Sequence, residues 1–287
     1  MSMTTQTRMR LRDNHTVRAF VARVFFVFFI VALVTFFVVP MLWLFTTPFD
    51  STPTLAVGIP DWTLDNFREM VENPFALPSI VNSFILSGGT VLIVLLAGAP
   101  AAYVLSRARF RGRDTTLYIL LLFSSIVTGS AAMVPLFFIA LQLGLIDTYH
   151  GTIVILAGGL LPASIFILKD FTDTIPRSYE ESARVFGANS FQMLRDVVAP
   201  VIRPGLAVIA VWAFVNVWSN FLLPFILLRT PSKSPAAVVM YSFYTEGGQA
   251  VIRVIAAFSI VYTIPVLLAY LFVNRRYGFR FYGGIKG

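Results

Sequence analysis

Apolar residues in this chain fall in long, nearly charge-free runs separated by polar connections, where a half-buried helix or strand would show a regular apolar period. About 20 residues are needed for a helix to cross the hydrocarbon core of a bilayer. A window of roughly that length predicts helices near 19–46, 80–105, 115–143, 151–170, 205–228 and 251–273. The expected fold is all-α, a polytopic transmembrane helical bundle of about six spans. Pro100, Pro135, Pro162 and Pro265 lie within or near the ends of these runs and point to kinks beside a pathway, with neighbouring helices or a cavity satisfying the freed carbonyls. The first run follows a basic stretch, as a signal peptide does. It is too long for a cleavable apolar region and lacks an Ala-x-Ala end, so it is expected to stay as a spanning helix.

Charge gives the bundle a direction. Of the 22 Lys and Arg, 18 fall in residues 1–23, 106–114, 169–204 and 274–287, all on one side of a six-span arrangement. Only Arg68, Arg229, Lys233 and Arg253 lie opposite. Because positive residues are retained inside, the N- and C-termini are expected to be cytoplasmic. The organisation that follows is a cytoplasmic tail over 1–18, a transmembrane domain over 19–273 and a cytoplasmic tail over 274–287. Within the domain, 47–79 and 229–250 are expected outside and a longer loop, 171–204, inside. The segment 47–79 carries Asp50, Asp61, Asp65, Glu69 and Glu72 with scattered Pro and Trp, as a folded outer cap does. Between 229 and 249, Val238, Val239, Met240, Tyr241, Phe243 and Tyr244 form either an exposed apolar ridge or a loop packed on the membrane surface.

Composition sharpens this by exclusion. The net charge of +8 suggests nucleic acid, but no basic stretch is interleaved with exposed aromatics, and most of the 28 Phe lie inside the apolar runs. With 57% hydrophobic residues and 13% charged, lipid is the solvent for much of the surface. The absence of cysteine rules out disulfides, Cys-ligated zinc and a Cys nucleophile. His15 and His150 have no Ser or carboxylate partner at useful spacing, and there is no Gly-x-x-x-x-Gly-Lys-Ser/Thr phosphate loop. The chain is therefore not expected to be an enzyme or to bind a cofactor or metal. A self-sufficient secondary transporter of a small polar solute, the alternative, would place ionisable residues in its spans, and these are almost free of charge. Energy for transport is expected from a partner.

Two groups of residues remain as candidates. In the fifth run, Trp212, Asn216, Trp218, Ser219 and Asn220 suit stacking on and hydrogen bonding a neutral polar ligand, or else interhelical bonds with an aromatic anchor. In the inner loop, Ile175–Phe186 and Ser190–Val198 read as two short helices. Pro176 suits the start, Ser178 and Glu181 have capping-box spacing, Gly187 is placed for a left-handed C-cap, and Asn189 or Ser190 caps the second helix. Tyr179, Ala183 and Phe186 share one face, and Phe191, Leu194 and Val198 another, while Glu180, Arg184, Arg195 and Asp196 carry the polar remainder. Small residues at Ser182, Ala183, Gly187 and Ala188 allow close approach of another protein. The same pattern also fits an amphipathic hairpin on anionic lipid.

The stretch from Ile175 to Ala188 resembles the EAA loop of ABC importer permeases: Glu181, Ala183, Gly187 and Pro200 match in register, with Ser182, Phe186 and Ala199 departing from the usual residues. Further stretches are similar to the carbohydrate-uptake branch, the maltose and glycerol-phosphate type. They are Ala101-Ala102-Tyr103 with Arg107, Arg109, Phe110 and Gly112; Gly144-Leu145-Ile146-Asp147-Thr148; Trp218-Ser219-Asn220-Phe221-Leu222-Leu223-Pro224; and Gly283-Gly284-Ile285-Lys286-Gly287. The resemblance implies a permease subunit in a bacterial inner membrane, forming half of a pathway for a sugar or polyol. It implies a second permease subunit, an extracytoplasmic solute-binding protein and a cytoplasmic ATPase dimer carrying ATP and Mg. Tyr179, Glu180, Glu181, Ser182, Ala183, Phe186, Gly187, Ala188 and Pro200 would meet that ATPase, and the tail Gly283–Gly287 would reach into it.

Overall fold

The computed structural model describes residues 5–54, 58–108, 112, 113, 115, 118–122, 132–243 and 251–277, with side chains between 20 and 276. In chain order the helices treated below are α1 (Thr5–Thr46), α2 (Asp65–Glu72), α3 (Ala76–Arg107), α4 (Met133–Gln142) and α5 (Tyr149–Asp173). They continue with α6 (Arg177–Val185), α7 (Ser190–Val201), α8 (Arg203–Trp218), α9 (Leu222–Leu227), α10 (Ala236–Ser242) and α11 (Ile252–Tyr277). The only pairing of extended backbone among the described residues is a single antiparallel bridge, Asp50 with Trp62.

Among the described residues four stretches are helical, long and apolar enough to cross a membrane: Phe20–Phe49, Ala76–Arg107, Tyr149–Asp173 and Ile252–Arg276. The α7–α8 pair would make a fifth, bent by 81°. Two of the six expected helices differ from the sequence reading. Much of the run at 115–143 lies outside the described residues, and α4 within it has 10 residues, too few to span alone. The run at 205–228 is two helices, because α8 stops at Trp218. There Ser219 Oγ donates back to the Val215 carbonyl, and Asn220 Oδ1 accepts the Leu223 N–H at 3.1 Å, opening α9. Pro100, Pro162 and Pro265 lie inside unbroken helices. The sharp bend comes instead at Ile202, just before Pro204 in the first turn of α8, where the missing N–H costs nothing.

Contacts divide the chain into two units: residues 1–68 with 252–257, and residues 69–251 with 258–287. In the first, most of the large apolar side chains of α1 from Phe20 onward are exposed, the surface expected of a lipid-facing helix. The chain leaving α1 is folded back on itself. Asn66 is buried, and its amide donates to the carbonyls of Pro48 at 3.0 Å and Asp50 at 2.7 Å, while Phe49 packs on Trp62 and Phe67.

In the second unit α3 and α5 pack along each other and α8 crosses both. Small residues permit the approach: Gly89 lies against Ile153 and Gly98 against Leu168. Val94, Ala99, Ala102, Ala157, Leu168, Ile209 and Ala213 form the middle of the core. α5 starts at Thr148, whose hydroxyl accepts the Gly151 N–H. A Cβ on Gly151 would collide with the Leu145 carbonyl, so the turn into α5 requires glycine. α11 is tied to α8 by a reciprocal pair: Trp218 Nε1 donates to the Tyr262 carbonyl at 3.1 Å and Tyr262 OH to the Trp218 carbonyl at 2.9 Å.

Candidate functional site

The loop 171–204 is attached to the membrane-length helices at the C-terminal end of α3. Tyr103 and Arg107, one helical turn apart, face the start of α6. Arg107 Nε donates to Glu180 Oε1 at 2.6 Å, and Tyr103 OH donates to Glu180 Oε2 at 3.0 Å. Arg107 Nη2 also donates to the carbonyls of Ile175 at 3.1 Å and Thr172 at 3.4 Å, where α5 ends. Beside it Ser106 Oγ donates to Asp173, which also accepts from Lys169 Nζ at 2.7 Å. The side chains of Arg107 and Glu180 are 16% and 5% exposed. Removing one partner of such a pair typically costs about 3–5 kcal/mol, because the other charge is left buried.

This geometry corrects the expectation for Glu180. It is turned inward as an anchor and does not belong to the outward face. Ala183 and Ala188 also face inward in part, against a cluster of Ile175, Met193, Val198 and Ile202. Val198, expected on one face with exposed Phe191, is buried. The outward face consists of Tyr179, Glu181, Ser182, Val185, Phe186 and Gly187, with Val185 85% and Phe186 90% exposed. The two adjacent apolar side chains stand out from the end of α6. Pro200, at the far end of the loop, is half-buried.

The turn holding this face is built locally. The Gly187 N–H donates to the Arg184 carbonyl and the Ala188 N–H to the Ala183 carbonyl, with Gly187 at φ +82°. That pair of hydrogen bonds around a left-handed residue is the Schellman form of the C-cap expected at Gly187. The N-terminal expectation differs: Pro176 is the N-cap, without a side-chain bond, so Ser178 and Glu181 form no capping box. The capping box lies at the second helix, between Asn189 and Gln192. After one turn that helix widens to a π-helix over Met193–Val198.

At the other end of α5 a second polar cluster pins the connection after α9. Asp147 sits at φ +57°, a left-handed position that Asp tolerates better than most residues. Its carboxylate accepts the N–H groups of Arg229 and Thr230, each at 3.0 Å, the Thr230 hydroxyl at 2.7 Å and Lys233 Nζ at 2.8 Å. The Lys233 ammonium, with the Thr230 hydroxyl and backbone, holds this carboxyl well below the usual range. Asn82 of α3 donates to the carbonyls of Ser232 and Ser234 and accepts from Tyr149 OH. The Ala236 N–H donates to Ser83 Oγ. The following helix is therefore no apolar ridge: Ala236, Val239 and Phe243 are buried and Tyr241 is exposed, while Tyr244 lies outside the described residues.

Of the five pathway candidates, Trp218 is corrected. It is buried, bonded to Tyr262 and packed on Phe84 and Phe214, so it belongs to the core. Trp212 is half-buried against the α3–α5 core. Asn216 and Ser219 are exposed, with donors turned to the carbonyls of Trp212 and Val215, and Asn220 caps α9. The tail Gly283, Gly284, Ile285, Lys286 and Gly287 lies outside the described residues. Sequence reasoning named Arg107 in a family-like stretch but did not foresee its bond to Glu180, and it did not place Val185 on the exposed face. The available signal for Arg107 was a charge ending a long apolar run four residues after a tyrosine.

Described residues that are nearly all helical, with several membrane-length helices and a loop bonded to one helix end, define a multi-pass membrane protein. Residues 107–279, more than half of the chain, match the family described as binding-protein-dependent transport system inner membrane component, and the chain belongs to that family. It is a permease subunit of an ABC importer and a multi-pass protein of the inner membrane. It is 30% identical over 216 residues to the maltodextrin transport system permease protein MdxG of Bacillus subtilis (strain 168), covering 75% of this chain and 77% of that one. It is 31% identical to the diacetylchitobiose uptake system permease protein NgcG of Streptomyces coelicolor, covering 83% of this chain and 80% of that one. The fold is similar to that in the crystal structure of a bacterial ABC transporter involved in the import of the acidic polysaccharide alginate, with TM-score 0.75, 23% identity, and 92% and 98% of the two chains covered.

Proposed function

We propose that this chain forms half of the pathway by which a sugar or related polyol enters the cell, driven by a cytoplasmic ATPase dimer docked on its inner loop. The observation that carries the reading is the exposed Val185–Phe186 pair, held by the Gly187 turn on a helix ion-paired to α3. The substrate class is supported by relatives named for maltodextrin and diacetylchitobiose. In this reading a second permease completes the pathway, an extracytoplasmic binding protein delivers the solute, and ATP with Mg stays on the ATPase. Tyr179, Glu181, Ser182, Val185, Phe186 and Gly187 form the docking face, and the tail Gly283–Gly287 adds to it. Asn216, Ser219 and Asn220 face the solute. ATP-driven closure moves the loop, and the helices switch access from one side to the other.

The test is reconstitution of this permease with its ATPase, companion permease and binding protein in vesicles. ATP-dependent uptake of a labelled oligosaccharide is expected, competed by related sugars. Uptake driven by an ion gradient without ATP would overturn the reading.

We also infer six spans with both termini in the cytoplasm, the described helices being completed by a span around 115–143. The charge distribution supports this. A reporter fused after Gly287 is expected to read cytoplasmic and one inserted near Asp61 external. The reverse pattern would invert the topology.

A further inference from the structure

We propose that Arg107 is a positioning residue that makes the coupling helix α6 and the α3–α5 pair one moving body, so that force on the loop reaches the membrane helices through its guanidinium. The proposal rests on the reading that α6 docks an ATPase.

One side chain joins three elements. From the end of α3, Arg107 bonds the Glu180 carboxylate on α6 and the carbonyls of Thr172 and Ile175 where α5 ends, while Nη1 reaches Ser106 Oγ at 3.1 Å. Tyr103 holds the second oxygen of Glu180, and Asp173 takes Ser106 and Lys169, so the acidic partners are held from both sides. Charge-assisted bonds from a planar fork fix orientation as well as distance. The other half of the loop is built differently. α7 contains the π-helical segment Met193–Val198, meets α8 at the 81° bend, and lies on the loop through the apolar cluster of Ile175, Met193, Val198 and Ile202. Apolar contacts are non-directional and let surfaces slide. The compliant part is therefore the α7–α8 junction, and the rigid part is α3, α5 and α6 joined at Arg107.

The test uses the complete transporter in vesicles, with R107K and E180Q compared to the unaltered protein. Lysine keeps the charge but lacks the fork, and glutamine keeps the shape but lacks the charge. Both variants are expected to retain the ATPase and its hydrolysis while solute moved per ATP falls about ten-fold or more, ten-fold being the least expected when a charge-assisted bond is lost. An unchanged ratio in both would overturn the proposal, and so would parallel loss of ATPase binding and uptake, which marks a structural role alone. Because the chain has no cysteine, spin labels on V104C and S178C report the α3–α6 distance directly. One distance through the ATP cycle is expected, and a change between states would overturn the proposal even where R107K fails to assemble. If the unaltered permease itself fails to retain an ATPase, the docking reading falls before the variants are compared.

Discussion

Gly187→Val is expected to leave membrane insertion intact and to reduce co-purification of the ATPase by about ten-fold or more. Two effects add. The residue sits at φ +82°, where a side chain costs about 1–2 kcal/mol, and a β-branched one has the fewest escapes. Among the described residues nothing lies within 4 Å of an added Cβ, so the new side chain projects into open space beside Val185 and Phe186. Gly187→Asn separates the two, since asparagine accepts the left-handed turn and still projects from the surface. If docking depends on an open face, Asn weakens it as well; if only the turn matters, Asn binds normally. Undiminished co-purification of the valine variant would remove Gly187 from the docking face.

The second large effect is expected at Asp147. Asp147→Ala removes an acceptor that organises four donors from residues 229–233, leaves their N–H groups without it, and places alanine at φ +57°. A melting temperature lower by several degrees and faster proteolysis between 229 and 243 are expected. Asp147→Asn keeps one acceptor oxygen and the left-handed preference but loses the charge, so it should fall between the alanine variant and the unaltered protein. Equal melting of all three would show that the cluster contributes nothing. The pH dependence follows from the direction of the shift. The folded-state pKa is depressed, so the stabilisation is fully present above the ordinary aspartate value of about 3.9 and fades as pH falls below it toward the folded pKa. Between about pH 5 and 8, above that ordinary value, the stability difference between the unaltered protein and the Asp147→Ala variant should stay constant.

The sequence was most legible where a single local rule governs. Apolar runs marked out α1, α3, α5 and α11 because about 20 lipid-facing residues leave few alternatives. Gly187 was legible because only a left-handed turn explains glycine after an amphipathic stretch, and the turn is there. Rules that compete locally failed. Ser178 and Glu181 have capping-box spacing, but Pro176 fixes the start of the helix ahead of them, and the box forms at Asn189 instead. The fifth run is apolar through Leu228, yet the side chains of Ser219 and Asn220 bond the backbone and end the helix.

Composition and short spacing were enough to read a helical membrane protein with its basic residues segregated along the chain, and a helix-ending turn at Gly187 in the loop 171–204. Those are properties a chain carries even when unfolded. Which way each polar group points was decided by tertiary packing. Glu180 and Glu181 are adjacent carboxylates on one short helix, and nothing local distinguishes them. Their fates separate because Arg107, 73 residues away, comes within 2.6 Å of Glu180 and draws it inside, while Glu181 stays on the surface. Burying a charge is tolerable only where its partner is already in place, and that placement comes from the packing of α3 against α5.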